Sequence, residues 1–407
     1  MKIHISKTVG AILLVAGTQI GAGMLALPIS TGVAGYFPSI LVFFLSFFYM
    51  LASLFLLLEV NLWSKNVSAN IITLAKEHLG YGGQVVSWIS FLLLLYSVAA
   101  AYLSGGGGLL ADALGSGLGV TLDPSTGVWL FLLMFGLLVV FGTHILDSFN
   151  RILVTGLAAS FLFLIVFTIP NMNSDGFTTG DPDYIFAAIP VIVLSFTSHI
   201  IVPSLRTYLA GDHKNLIRAL LIGSFIPLIF YIVWQTLIIG VLPGAGQYSL
   251  GNIAMQAHPL THLTKALNEI LRFPTVAIVV GFFSFFALVT SFVGVSLALF
   301  DFLADGLKIK KTPLGKLLLL VLMYAPPLFF ALLYPRGFLL AVSYAGVWVA
   351  ILYGFLPAIM VWKGRYYQKC QSDYTTPGGR LVPIIVFLGA IVIIAMQVAA
   401  TNGWMPS

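Results

Sequence analysis

Gly17-Thr18-Gln19-Ile20-Gly21-Ala22-Gly23 lies in the middle of an otherwise apolar run from residue 8 to 30, with Pro28 a turn or so beyond. Three glycines in seven residues, with a hydroxyl and a carboxamide at the same depth, weaken a helix where lipid offers the backbone no alternative partner. Two readings are open. Gly17 and Gly21 form a GxxxG face for close helix contact, or the segment is unwound and its freed backbone lines a cavity. Thr18 and Gln19 favour unwinding. Residues 184–209 have the same character: Pro190, then Ser195-Phe196-Thr197-Ser198-His199, then Pro203-Ser204. This is either a second break or a Pro-kinked helix around a satisfied histidine.

The chain around these segments is built for lipid. Of its 407 residues, 59% are hydrophobic and 8% charged, against about 25% charged in soluble domains. Its apolar runs are long enough for membrane helices and lack the alternating segments of a membrane β-barrel. The fold class is therefore an all-α polytopic membrane protein. Uncharged runs bounded by turn residues give eleven spans: 8–30, 36–62, 83–112, 126–144, 149–170, 184–209, 215–242, 272–304, 315–333, 336–362 and 381–402. The stretch 243–271 reads as a loop outside the membrane.

Net charge is +6. With the N-terminus in the cytoplasm, only Lys265, Arg272 and Arg336 of the 19 Lys and Arg fall outside. That asymmetry sets the N-terminus inside and the C-terminus outside the cell (inner) membrane, and assigns the basic residues to topology rather than to nucleic acid. Lys2 and Lys7 before the first apolar run imitate a signal peptide, but the run is too long for one and reads as a retained span. A single cysteine, Cys370, excludes an internal disulfide. His258 and His262 stand four apart with no third ligand in view, so no metal and no cofactor is expected. HExxH and G-x-S-x-G are absent, which argues against a membrane enzyme. A channel would not need two broken helices.

Spans one and six are five apart, an odd number, so two five-helix halves would run in opposite senses. Broken first helices in inverted halves point to the binding site of a secondary transporter. Half-helix N-termini there hold a carboxylate, and freed carbonyls hold a cation.

At this point the residues resemble a family. Gly17-Thr18-x-Ile20-Gly21-Ala22-Gly23-Met24-Leu25-Ala26-Leu27-Pro28 is similar to the opening of the hydroxy/aromatic amino acid permeases, in particular their tyrosine-specific members. Leu58-Glu59, residues 100–105, Asp147 with Asn150-Arg151, His199 with Val202-Pro203-Ser204, residues 291–295 and residues 299–305 extend the likeness along the chain. The resemblance implies a leucine-transporter-type 5+5 inverted repeat plus an eleventh helix. One transporter domain covers 1–407, with halves 8–170 and 184–362 and the eleventh helix at 381–402. It also implies symport of an aromatic amino acid, most of all tyrosine, driven by an ion gradient, usually of protons. The alternative is tryptophan or another neutral amino acid, with sodium as the alternative ion. The family usually reads Gly-aromatic-His-Gly in the sixth span, where this chain has Thr197-Ser198-His199-Ile200, so side-chain specificity does not carry over directly.

The expected substrate site comprises residues 17–23 (Gly17, Thr18, Gln19, Ile20, Gly21, Ala22 and Gly23), Tyr96 or Tyr102 of span three, and Phe196, Thr197, Ser198 and His199. Phe196, Ser198, His199 and Tyr102 are expected to line the side-chain pocket. Ionisable groups inside a membrane are functional candidates. Glu59 is expected either to carry a proton or to bond the sixth helix, with a snorkelling carboxylate as the bland reading. Asp147 and Arg151 form a salt bridge or an inner gate. Asp301 and Asp305 need a partner, expected from Arg206 or a nearby lysine. Thr290 and Ser291 either back-bond to their own helix or, in a leucine-transporter-type fold, join carbonyls of helix one around sodium. Gly105–Gly108 is expected to allow close packing of span three.

Overall fold

A computed structural model of the chain describes residues 6–141, 143–271, 274–334 and 336–406, with the backbone alone at Ala22, 140, 141, 143–151 and 274–278. Among these residues the chain is helical, with no strand. The first span is two helices, α1 (Lys7–Gln19) and α2 (Ala22–Thr31), bent by 48° at their junction. Then follow α3 (Tyr36–Trp63), the short α4 (Ile71–Leu79), α5 (Tyr81–Leu118), α6 (Pro124–Phe135), α7 (Thr143–Thr168) and the single turn α8 (Asp175–Thr178). The sixth span is also divided, into α9 (Ile185–Ser195) and α10 (Val202–Tyr208). The remainder is α11 (His213–Val241), α12 (Leu250–Met255), α13 (Pro259–Leu271), α14 (Pro274–Gly306), α15 (Pro313–Leu333), α16 (Gly337–Val349), α17 (Leu356–Lys363) and α18 (Leu381–Thr401). A π-helical stretch, Ala350–Phe355, joins α16 to α17.

Nine helices among the described residues are long and apolar enough to cross a membrane, ten with the bent first pair. The span expected at 126–144 is the shorter apolar helix Pro124–Val139. Helix starts follow local chemistry. Asn70, Asp123, Asp212, Ser249 and Thr312 each accept a hydrogen bond from a first-turn amide, which satisfies donors that have no carbonyl partner within the helix.

One expectation fails. The stretch 243–271 is not a plain loop but holds α12 and α13. Along α13, Leu260, Leu263, Leu267 and Leu271 are buried while His262, Lys265 and Glu269 are exposed. This is a helical period hidden in a segment too polar to register as a span.

The long helix α5 is central, packing against α4, α6, α14, α15 and α16. Its Gly105–Gly108 run allows the close approach the sequence suggested. A Cβ on Gly107 would lie 2.6 Å from the Val128 Cα, and one on Gly106 would enter the Phe131 ring. Elsewhere α1 packs on α11, and α2 on α9.

Charged groups are tied down away from the centre. Glu59 near the end of α3 is buried and takes both guanidinium arms of Arg365, at 2.7 and 2.5 Å, plus the Thr376 amide at 2.8 Å. It therefore binds the connector after α17, not the sixth span. Asp301 is served by Lys311 at 2.7 Å, whereas Arg206 donates to the Asn61 and Ser64 carbonyls. Of the two candidates for Asp301, the lysine is the partner. Asp147 and Arg151 lie outside the residues whose side chains are described.

Breaking a buried ion pair from one side strands the other charge, at about 3–5 kcal/mol. Arg365→Ala is expected to lower the melting temperature of the detergent-solubilised protein sharply, and Glu59→Gln added to it is expected to recover part of the loss. An unchanged melting curve for Arg365→Ala would show that the pair contributes nothing.

Candidate functional site

The two breaks face each other. Helix α1 stops at Gln19 and α9 at Ser195, each presenting its last carbonyls, and α2 starts at Ala22 with Gly21 as an N-cap that offers no side chain. A single hydroxyl joins them: that of Tyr231 on α11 lies 2.6 Å from the Gln19 carbonyl and 2.9 Å from the Ser195 carbonyl. The Gln19 carboxamide donates to Ser198 at 2.9 Å. Gly23 sits directly on Ser195, where a Cβ would come within 3.0 Å of the Ser195 Cα. Only glycine lets α2 and α9 touch there.

Beside the breaks lies a cavity of about 520 Å³, within the ~300–1,000 Å³ common for small-molecule sites. Its polar end is formed by Gln19, Gly21, Gly23, Ser195, Thr197, Tyr102, Thr290 and Ser291; its walls are apolar, with Leu94, Leu95, Val98, Leu157, Phe230 and Val295. Gly21 faces the opposite wall: a Cβ there would meet the Ser291 hydroxyl at 2.9 Å and the Tyr102 hydroxyl at 3.6 Å. An α-helix N-terminus favours an anion and a C-terminus a cation. The start of α2 and the ends of α1 and α9 therefore offer both fields within one small volume, above a greasy chamber. A molecule with an anionic group, a cationic group and an apolar body matches that arrangement.

The cavity extends to one side only. Gly17 and Thr18 before the first break, Ile200 after the second, and Val154 and Gly294 all line it and are exposed. Past the breaks, toward the end of α2, the helices close on each other. Gln235 donates to the buried Thr31 hydroxyl at 2.8 Å, the Tyr36 and Thr236 hydroxyls meet at 2.9 Å, and Leu250 covers Gly32.

Of the expected site, Gly17, Thr18, Gln19, Ile20, Gly21, Gly23, Tyr102, Thr197, Thr290 and Ser291 line the cavity; the Ala22 side chain lies outside the described residues. Four others do not line it. Tyr96 donates to the Leu322 carbonyl at 2.7 Å, so Tyr102 is the span-three tyrosine at the site. Phe196 packs among Phe43, Phe47 and Tyr231. Ser198 is taken by Gln19. His199 is 1% exposed and stacks on Tyr353 with ring centroids 4.6 Å apart. The sixth-span turn points Thr197 into the cavity and its neighbours into the packing behind. Thr290 bonds back to the Ala287 carbonyl at 3.1 Å. Glu59, Arg206 and Asp301 are not part of the cavity lining. The sequence reading missed Ser195 and Tyr231 as elements of the site. A tyrosine in the middle of an apolar span, next to Pro227, was the available signal for the latter.

The chain matches the tryptophan/tyrosine permease family over residues 4–397. It is 37% identical to the tyrosine-specific transport system 1 of Haemophilus influenzae, covering 98% of this chain and 99% of that one. It is 32% identical to a tryptophan-specific transport protein of Pseudomonas aeruginosa, over 98% and 95%, and 30% identical to glutamine transporter 2 of Aliivibrio fischeri, over 96% and 99%.

Thiol reactivity follows exposure, so in a Cys370→Ser background Thr18→Cys and Gly294→Cys are expected to react with a membrane-impermeant maleimide about tenfold faster than Ala26→Cys. Equal protection at all three positions would mean that the cavity does not reach water.

Proposed function

The chain belongs to the tryptophan/tyrosine permease family, and we propose that it is a secondary active symporter importing an aromatic amino acid, foremost tyrosine, by alternating access with protons as the coupling ion. The observation that carries this reading is the cavity at the two facing breaks. The substrate carboxylate binds the first amides of α2, around Gly21–Gly23. Its ammonium binds the terminal carbonyls of α1 and α9, and its ring lies against Leu94, Val98, Leu157 and Phe230. Relatives named for tyrosine and for tryptophan support the aromatic class.

The two breaks open two inverted five-helix halves, 8–170 and 184–362, with 381–402 as the added eleventh helix. The basic residues of the sequence put the N-terminus in the cytoplasm and the C-terminus outside the inner membrane. On that orientation the cavity faces the cytoplasm, and the contacts of Thr31, Tyr36 and Gly32 form the closed outer side. Sodium is the second reading, because Ser291 stands across from Gly21 on the cavity wall. Thr290, which also lines the cavity, donates to the Ala287 carbonyl and keeps its oxygen lone pairs for an ion.

The test is uptake by the purified protein in liposomes. Saturable tyrosine uptake is expected under an inward proton gradient without sodium, competed by tryptophan and phenylalanine and not by alanine or glutamine. Uptake of glutamine in preference to every aromatic would overturn the substrate class. Dependence on sodium, lost in Ser291→Ala, would overturn proton coupling. A leucine side chain at Gly21 would occupy the space before Ser291 and Tyr102. Gly21→Leu is therefore expected to lose at least about tenfold in tyrosine affinity while still inserting normally, as for any polar ligand barred from its hydrogen-bonding groups; unaltered uptake would remove those amides from the site.

A further inference from the structure

His199 follows the second break directly, yet it lies outside the cavity. Its Nε2 is 3.2 Å from the Ser53 hydroxyl on α3. Among the described residues its Nδ1 finds no hydrogen-bond partner, and neither does the hydroxyl of Tyr353, the residue it stacks on. Both side chains are 1% exposed. Burying two such groups without partners is costly, and orphaned polar atoms in folded proteins call for a reason. Tyr353 sits in the π-helical stretch 350–355, a distortion that is itself unfavourable and concentrates at functional positions. His199 and Tyr353 line a second, separate chamber of about 60 Å³, together with Asn61 and Asn70. Most of its lining is apolar, with Asn61, Asn70, His199 and Tyr353 as the polar residues; its volume is enough for a water, which needs about 10–15 Å³ and two or more polar partners.

We propose that His199, with Tyr353 and the chamber they line, is the proton-binding site of the coupled cycle, distinct from the substrate cavity. The inference rests on the proton-coupled reading above. A water in the chamber passes a proton to the free Nδ1. The resulting imidazolium donates from Nε2 to Ser53 and from Nδ1 to water, and on deprotonation the same proton returns to water on the other side of the membrane.

The buried carboxylate on the adjoining helix α3 is already neutralised. Glu59 of α3 is closed by Arg365. Arg206 of α10 is turned to Asn61 and Ser64, and among the described residues the titratable group stacked on His199 is Tyr353 from the π-helical stretch. Histidine is the side chain that titrates closest to neutral pH when solvated. Coupling to substrate is short. Ser198, the adjacent residue, is held by Gln19 of the first break, so charging His199 bears on the same turn that shapes the substrate site.

The experiment compares two transport modes in proteoliposomes of the full chain. Counterflow exchanges labelled tyrosine without net proton movement, and accumulation uses an imposed proton gradient. His199→Gln keeps hydrogen-bonding capacity but cannot titrate near neutral pH. It is expected to retain counterflow within about twofold while accumulation falls to simple equilibration, the signature of a lost protonation step. Tyr353→Phe keeps the imidazole and is expected to shift the pH midpoint of accumulation. Accumulation by His199→Gln equal to that of the wild type would overturn the inference. If His199→Gln loses both modes, the Tyr353→Phe profile decides: a shifted midpoint supports the site and an unshifted one overturns it. A wild type that exchanges tyrosine but accumulates it only with sodium refutes proton coupling, and this inference with it. A wild type with no tyrosine counterflow refutes the substrate reading instead.

Discussion

Every backbone amide and carbonyl within a bilayer must find a partner inside the protein, and this one requirement organises the molecule. It forces the chain into helices and makes any interruption costly. Two interruptions are nevertheless present, at Ile20–Gly21 and at Phe196–Ser198. They are tolerable because they meet. The Tyr231 hydroxyl serves the carbonyl ends of both half-helices, the Gln19 carboxamide reaches across to Ser198, and Gly23 brings α2 against Ser195. What remains uncapped, at the start of α2, faces the cavity.

The same economy governs charge. The buried carboxylate Glu59 is held by three donors from the segment after α17, which clamps that connector onto the end of α3. Lys311 and Asp301 pair at the end of α14, and Lys265 and Asp112 pair at 2.6 Å at the far end of α5. The cavity itself is lined by no charged side chain among the described residues. Its polarity comes from helix ends and hydroxyls, which suits a zwitterion whose two charges must be held and then released.

The asymmetry between the two sides of the breaks is a matter of packing. Toward the end of α2, small residues allow backbone contact: Gly32 under Leu250, Gly346 against the Pro190 carbonyl, and Gly105 against Phe338. On the other side Gly17, Thr18, Gly294 and Val154 stand exposed. Interfaces of this kind hold one of two discrete arrangements rather than a continuum.

The sequence alone determined the solvent, the helical class, most of the span positions and the two broken helices, because those follow from local facts: apolar run length, glycine and proline placement, and polar residues where none belong. It also carried enough motif to mark the family. It named most of the cavity's polar end, since residues 17–23 are one contiguous strip. It could not decide which side of the sixth-span turn each residue takes. Thr197 enters the cavity while Phe196, Ser198 and His199 turn into the packing behind, and that choice is made by Gln19, Ser53, Tyr231 and Tyr353, residues 35 to 179 positions away along the chain. It could not pair Glu59 with Arg365 across 306 residues, nor see an amphipathic helix in 259–271. Tertiary structure decided these because a side chain's partner in a bundle depends on which helix lies opposite, and no spacing within one helix encodes that.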